Sequence, residues 1–148
     1  MDELQESQSK KKVFETLFGP RGSEKSPLDH FTTSLYREIW TRTALTVSDR
    51  SMITVALLAA LGRDRELVRH IEGALNIGIS CERINEIMLH VAHYAGWPAG
   101  HNGQCIALEQ YEEEATPKQY DTLRKNAREV PENLTRGRAG DLIAKLTS

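Results

Sequence analysis

The sequence predicts an all-α fold, a bundle of six or seven helices. Two observations carry that expectation. Apolar residues recur at helical spacing in segment after segment, and no stretch alternates apolar with polar residues as a strand would. Gly, Pro and hydroxyl residues then punctuate these segments where helices start and stop. No internal period marks a repeat, and 148 residues suit one ordinary domain with a real core.

The stretch Met52–Leu61, MITVALLAAL, is the expected centre. It has no charge, and its large side chains cover every face of a helix. Such a helix belongs in a core or a membrane, and this one is far shorter than the roughly 20 residues a span needs. A buried central helix is therefore expected, capped by Ser48 or Asp49 and stopped at Gly62.

Upstream, residues 1–12 are polar and expected to fray. Val13, Phe14, Leu17 and Phe18 form a short apolar cluster before the loop GPRGSEKSP. A helix from Pro27 or Leu28 to about Trp40 gathers Phe31, Leu35, Tyr36 and Ile39 on one face. Downstream, a helix carries Leu67, Val68, Ile71, Ala74 and Leu75 as its stripe and ends at Asn76 and Gly78. Ser80 caps the next, where Ile84, Ile87, Met88, Val91, Ala92 and Ala95 make a clean apolar face up to Gly96 and Pro98. A sixth runs from about Pro98 to Glu114. Thr116-Pro117 opens a polar one that reaches about Val130. The tail from Pro131 reads as loop with a short helix, DLIAKL, that packs on a neighbour or stays mobile.

With 19 basic and 21 acidic side chains the chain is near neutral, which argues against non-specific nucleic-acid binding. Cys81 and Cys105 have no Cys-x-x-Cys spacing and read as reduced thiols. The opening residues show no signal-peptide-type apolar segment and there is no transmembrane candidate, so a soluble, cytoplasmic protein is expected.

Chemistry concentrates after the central stretch. Glu86, His90 and His93 stack along one side of their helix, nearly opposite its apolar stripe, and Tyr94 and Trp97 continue beside them. This side is a solvated polar face, or one that another helix or a second subunit covers. Covered, it would move protons near neutral pH. Ligand spacing also admits a metal reading, but no further ligand clusters with it, and none is expected. His70 pairs with Glu66 at the margin of its own stripe, as a structural tie or as a proton donor. Arg50 runs against the helix macrodipole at the head of the central stretch, which suits an anion or a partner carboxylate. His101 and Asn102 are explained by loop polarity. No phosphate loop, nucleophile elbow or dinucleotide fingerprint occurs.

Taken together, Arg50, Ala60-Leu61-Gly62, Leu67 with His70, Ala74-Leu75-Asn76 with Gly78, Glu86-Ile87 with Leu89-His90, and Tyr94-Ala95-Gly96 with Pro98 form a set. That set resembles the carboxymuconolactone decarboxylase family over about residues 35–112. Tyr36-Arg37-Glu38-Ile39-Trp40 is similar to the family's Gly-Glu-Val-Trp, with Tyr-Arg in place of the glycine region. The resemblance implies an alkylhydroperoxidase-D-like bundle assembled as trimers or hexamers with sites between subunits. It implies a family-like domain at 28–114, between a polar segment with a short helix at 1–27 and a polar helix and tail at 115–148.

One branch of the family comprises thiol peroxidases with Cys-x-x-Cys-x-x-x-His. Aligning His70 with that histidine puts Arg63 and Glu66 at the two cysteines and Ser51 near the upstream glutamate, so no peroxidatic thiolate is present. The other branch implies a cofactor-free decarboxylase of aromatic-acid breakdown, acting on a small carboxylated lactone or oxo-acid. His70, His90 and His93 are then the candidates for acid and electrophile, with Glu86 orienting them. Arg50 would hold the substrate carboxylate, and Tyr94 and Trp97 would wall the pocket. The alternative is a non-catalytic oligomeric protein that keeps the fold and binds a small ligand.

Overall fold

The structure, a computed structural model, describes residues 13–18, 27–127 and 129–147. The expectations for residues 1–12 and for most of the loop GPRGSEKSP lie outside them. The chain is all-α. A short helix at 13–18 (α1) precedes α2 (Pro27–Glu38), α3 (Val47–Ala60), α4 (Asp64–Asn76), α5 (Cys81–Ala95), α6 (Trp97–Glu112), α7 (Pro117–Asn126) and α8 (Arg136–Thr147). Among the described residues there is no strand, only one antiparallel bridge between Glu114 and Thr135. No described helix is long and apolar enough to cross a membrane.

The principal core lies between α3, α4, α5 and α6. Val55 and Ala59 meet Leu67, Ile71 and Leu75 of α4, Ile84, Met88 and Val91 of α5, and Ala107 and Tyr111 of α6. α5 and α6 form a tight hairpin. A Cβ on Gly100 would collide with Ala92 and stand 2.6 Å from the Met88 carbonyl, and one on Gly103 would stand 2.6 Å from Met88 Sδ. Gly96, with φ of 105°, makes the sharp turn between the two helices.

The central stretch departs from expectation. Only one side of α3 is covered: Ser51, Val55 and Ala59 are buried, whereas Ile53, Leu57 and Leu61 are 47, 55 and 68% exposed. The reason is geometric, because α4, α5 and α6 all pack on the same side. α2 repeats the pattern. Tyr36 points inward, while Phe31, Leu35 and Ile39, expected to share its face, are exposed together with Leu28. α3 also starts earlier than expected. Thr46 caps it in a reciprocal box, its Oγ1 accepting from the Asp49 N–H at 3.0 Å while Asp49 Oδ2 accepts from the Thr46 N–H at 3.0 Å. Ser80 and Thr116 cap α5 and α7 as the sequence indicates.

The tail is no loose appendage. α8 is a 12-residue helix packed on α4, α6 and α7 of its own chain, with Ala139 and Ile143 buried. Buried polar side chains tie this end together. Asn76 Nδ2 donates to the Leu17 carbonyl at 2.7 Å, Thr116 Oγ1 donates to Asn76 Oδ1 at 2.7 Å, and Gln119 Nε2 donates to the Arg136 carbonyl at 2.9 Å. Each is satisfied, as buried polar groups must be.

Replacing an ordinary helical glycine by alanine stabilises by about 0.5–1 kcal/mol. Gly100→Ala should do the opposite, because its backbone neighbours cannot yield, and should cost about 1–3 kcal/mol. Thermal denaturation checks this, and a raised melting temperature would contradict the close α5–α6 approach.

Candidate functional site

α5 decides where the candidate side chains point. With Ile84, Met88 and Val91 on its buried face, Glu86, His90 and His93 fall on the open side. Tyr94 is flanked by both imidazoles, its ring centroid 4.6 Å from His90 and 4.8 Å from His93. All four are exposed. Glu86 and His90 also line a groove of about 500 Å³ between α3 and α5. Glu82, Arg83 and Ile87 line the same α5 wall, and Met52 and Ala56 form the apolar wall on α3.

His70 lies elsewhere, in an aromatic nest. Its ring stands 5.2 Å from Phe18 in an edge-on arrangement and 6.2 Å from Trp40, and its Nε2 is 3.4 Å from Tyr36 Oη. Burial, aided by the Arg69 charge, lowers its pKa from 6.5 to about 4, against a smaller opposing effect of Glu66. The imidazole is therefore neutral at neutral pH. Its ring neighbours come from α1, α2 and the turn after α2, and none from α5.

The remaining candidates are dispersed. Arg50 donates from Nη2 to the Arg42 carbonyl at 3.1 Å, keeps a buried Nε with no partner, and does not line the α3–α5 groove. Trp97 is exposed and lines a smaller groove of about 150 Å³ on the α6 side of α5, with Leu89, His101 and Gln104. Cys81 is half-buried, and burial together with Asp141 pushes its thiol up to about 12, which keeps it protonated. Cys105 is exposed on α6, Sγ 3.8 Å from His101 Nδ1. No group of three or more metal-ligating side chains occurs among the described residues.

Sequence reasoning missed Arg83 and the apolar wall. Arg83 precedes Glu86 by three positions and His90 by seven, so the helical wheel held the signal. Met52 and Ala56 were hidden in a stretch read as buried throughout. The Tyr36–His70 contact had no local signal, since 34 residues separate the pair.

The carboxymuconolactone decarboxylase family model matches residues 27–102. The chain belongs to that family. The match runs from α2 into the first turns of α6, taking in the groove and His70. The chain is 37% identical over 76 residues to a 4-carboxymuconolactone decarboxylase of Acinetobacter baylyi, covering 51% of this chain and 57% of that protein. It is 36% identical over 61 residues to a nitrosuccinic acid decarboxylase of Metarhizium robertsii, covering 41% and 43%. The chain thus spans about half the length of the curated relatives it matches. No solved structure matches it significantly.

The nest around His70 has a consequence for stability. Its folded pKa of about 4 lies below the ordinary 6.5, so on acidification the unfolded chain takes up this proton first. The contribution is complete above pH 6.5 and lost as the pH falls toward 4. The denaturant midpoint should fall across that window, and His70→Gln should lose that part of the slope. Equal slopes in the two proteins would contradict a buried, neutral imidazole.

Proposed function

We propose that the chain is a cofactor-free decarboxylase acting on a small carboxylated lactone or oxo-acid, of the kind the name of its Acinetobacter relative describes. The observation that carries this reading is the convergence of Glu86 and His90 on one groove whose facing wall, Met52 and Ala56, is apolar. Family membership and two relatives named as decarboxylases support it.

In the reaction the bond to the carboxylate carbon breaks and CO2 leaves. The electron pair passes into the substrate's own conjugated carbonyl, which serves as the electron sink. The resulting enolate takes a proton at carbon delivered by the His90 ring, Glu86 orients that ring, and solvent restores the proton. His93 and Tyr94 stand beside His90 and complete this end of the site. Arg50 and Trp97 lie outside the groove and take no part in this reading.

An open groove is a poor place for such chemistry, because water screens the charges that must act on the enolate. The exposed stripe of Ile53, Leu57 and Leu61 runs along the same helix as Met52 and Ala56. We assign that stripe to a subunit contact in a trimer or hexamer, which would cover the groove and dry it. The catalytic unit on this reading is 28–114, with 115–148 bracing it from behind, in a cytoplasmic enzyme of aromatic-acid breakdown.

A second reading makes His70 the electrophile, its neutral imidazole stabilising the developing enolate through a hydrogen bond. It rests on the neutral imidazole bonded to Tyr36 inside an aromatic nest, a group already desolvated in a single chain.

Turnover of carboxymuconolactone by His90→Gln and His70→Gln separates the two. Glutamine keeps hydrogen bonding but exchanges no proton at neutral pH. His90→Gln should lose about 10²–10⁴-fold in rate with an unchanged melting temperature. His70→Gln should lower the melting temperature and keep its rate per folded chain. The reverse pattern transfers the role to His70, and normal turnover in both sinks the mechanism. A ligand-induced thermal shift in a wild type that turns nothing over identifies a binding protein instead.

A further inference from the structure

Arg83 is an ill-matched residue for its place. It sits three positions after the cap Ser80, in the first turn of α5, where the helix dipole favours anions and disfavours cations. Its backbone N–H reaches the Ser80 hydroxyl at 3.3 Å, so the turn itself is satisfied without the side chain. The guanidinium instead extends across to α3, where Nη2 lies 3.1 Å from Met52 Sδ. A thioether is a weak acceptor, while a guanidinium offers five donors in a fork that fits a carboxylate.

Acidic side chains stand close by, yet none takes that fork. Asp49 directs its carboxylate to the Thr46 N–H at 3.0 Å and hydroxyl at 2.7 Å. Glu82 and Glu86 share the groove with Arg83, but neither forms an ion pair with it among the described residues. The guanidinium is therefore held over an apolar wall with no carboxylate in its fork. Asp49, whose carboxyl pKa is lowered first by its Thr46 hydrogen bonds and also by the Arg83 charge, stays bonded to Thr46.

We propose that Arg83 is the carboxylate-binding residue of the α3–α5 groove and that the groove takes small organic acids by this end. The proposal rests on the reading of that groove as the reaction site and adds the polarity of the bound substrate. Arg83, Glu86 and His90 lie at i, i+3 and i+7, about 10 Å along the helix axis, a span that side-chain reach narrows to the size of a small carboxylated ring. A carboxylate forked by Arg83 leaves the far end of the molecule beside Glu86 and His90. The carboxylate so held is the one that stays on the product, while the one to be lost lies in the apolar part of the groove.

The test uses binding, so that it stands apart from turnover. Succinate, a small dicarboxylate, is titrated into the protein with the His90 ring resonances as the readout, and neutral succinamide serves as its uncharged counterpart. Succinate should shift the His90 signals saturably and succinamide should not. Arg83→Gln should weaken succinate at least tenfold, and Arg83→Lys less, since it keeps the charge and loses the fork. On a proven substrate Arg83→Gln should raise KM with kcat within a few-fold, the mark of uniform binding. Succinate binding unchanged in Arg83→Gln, or succinamide binding equally well, would overturn the proposal. So would a loss seen in Arg50→Gln in place of Arg83→Gln. If His90→Gln turns over normally while succinate still needs Arg83, the mechanism fails and the anion site stands.

Discussion

The close approach of α6 to α5 at Gly100 and Gly103 is the constraint from which the rest follows. With no side chain in the way, α6 lies directly on the Met88 and Ala92 surface and fixes the rotation of α5 about its own axis. That rotation turns Ile84, Met88 and Val91 into the core and leaves Glu86 and His90 facing outward beside α3. A side chain at Gly100 would push the two helices apart and move both groups relative to Met52 and Ala56. The position of the groove thus depends on two glycines that never touch it.

The same packing leaves α3 with two characters. One side is a conventional core helix, buried through Val55 and Ala59. The other presents Ile53, Leu57 and Leu61 to solvent, and α2 with the turn after it adds Leu28, Phe31, Leu35 and Ile39. Single exposed apolar residues are ordinary, whereas stripes of them on two helices are the pattern on which the proposed subunit contact rests. The proposed mechanism asks for the same cover, because charges act strongly on a bound anion only once water is excluded.

Much of the fold was legible because its signals are local. The Ser80 cap, the Thr116-Pro117 start and the Gly96 stop are each written within a few residues, and each stands where the sequence put it. The errors arose where burial depends on distant partners. MITVALLAAL reads as buried all round, yet a sequence does not say whether its cover comes from the same chain. The C-terminal tail read as loop with a short helix that packs on a neighbour or stays mobile, yet α8 packs on α4, α6 and α7 of its own chain, and its Arg136 carbonyl accepts from the buried Gln119. In the candidate site, the line from Glu86 to His93 followed from helical spacing alone. Arg83 lies on that line three positions before Glu86, while the guanidinium of Arg50, the arginine singled out from the sequence, lies against the Arg42 carbonyl. The nest of Phe18, Tyr36 and Trp40 around His70 is made by chain closure over long separations, which no helical wheel displays.

The central claim, that the α3–α5 groove is a proton-handling site completed by a second copy over the α3 stripe, is tested most directly at Leu57. This side chain is more than half exposed in the single chain, so Leu57→Asp should leave the helical core folded. Light scattering and turnover measured on the same Leu57→Asp sample decide the matter. The account predicts a folded monomer whose rate per chain has fallen at least about 100-fold, the scale of a lost acid–base contribution. A folded Leu57→Asp monomer that turns over at the wild-type rate would contradict it.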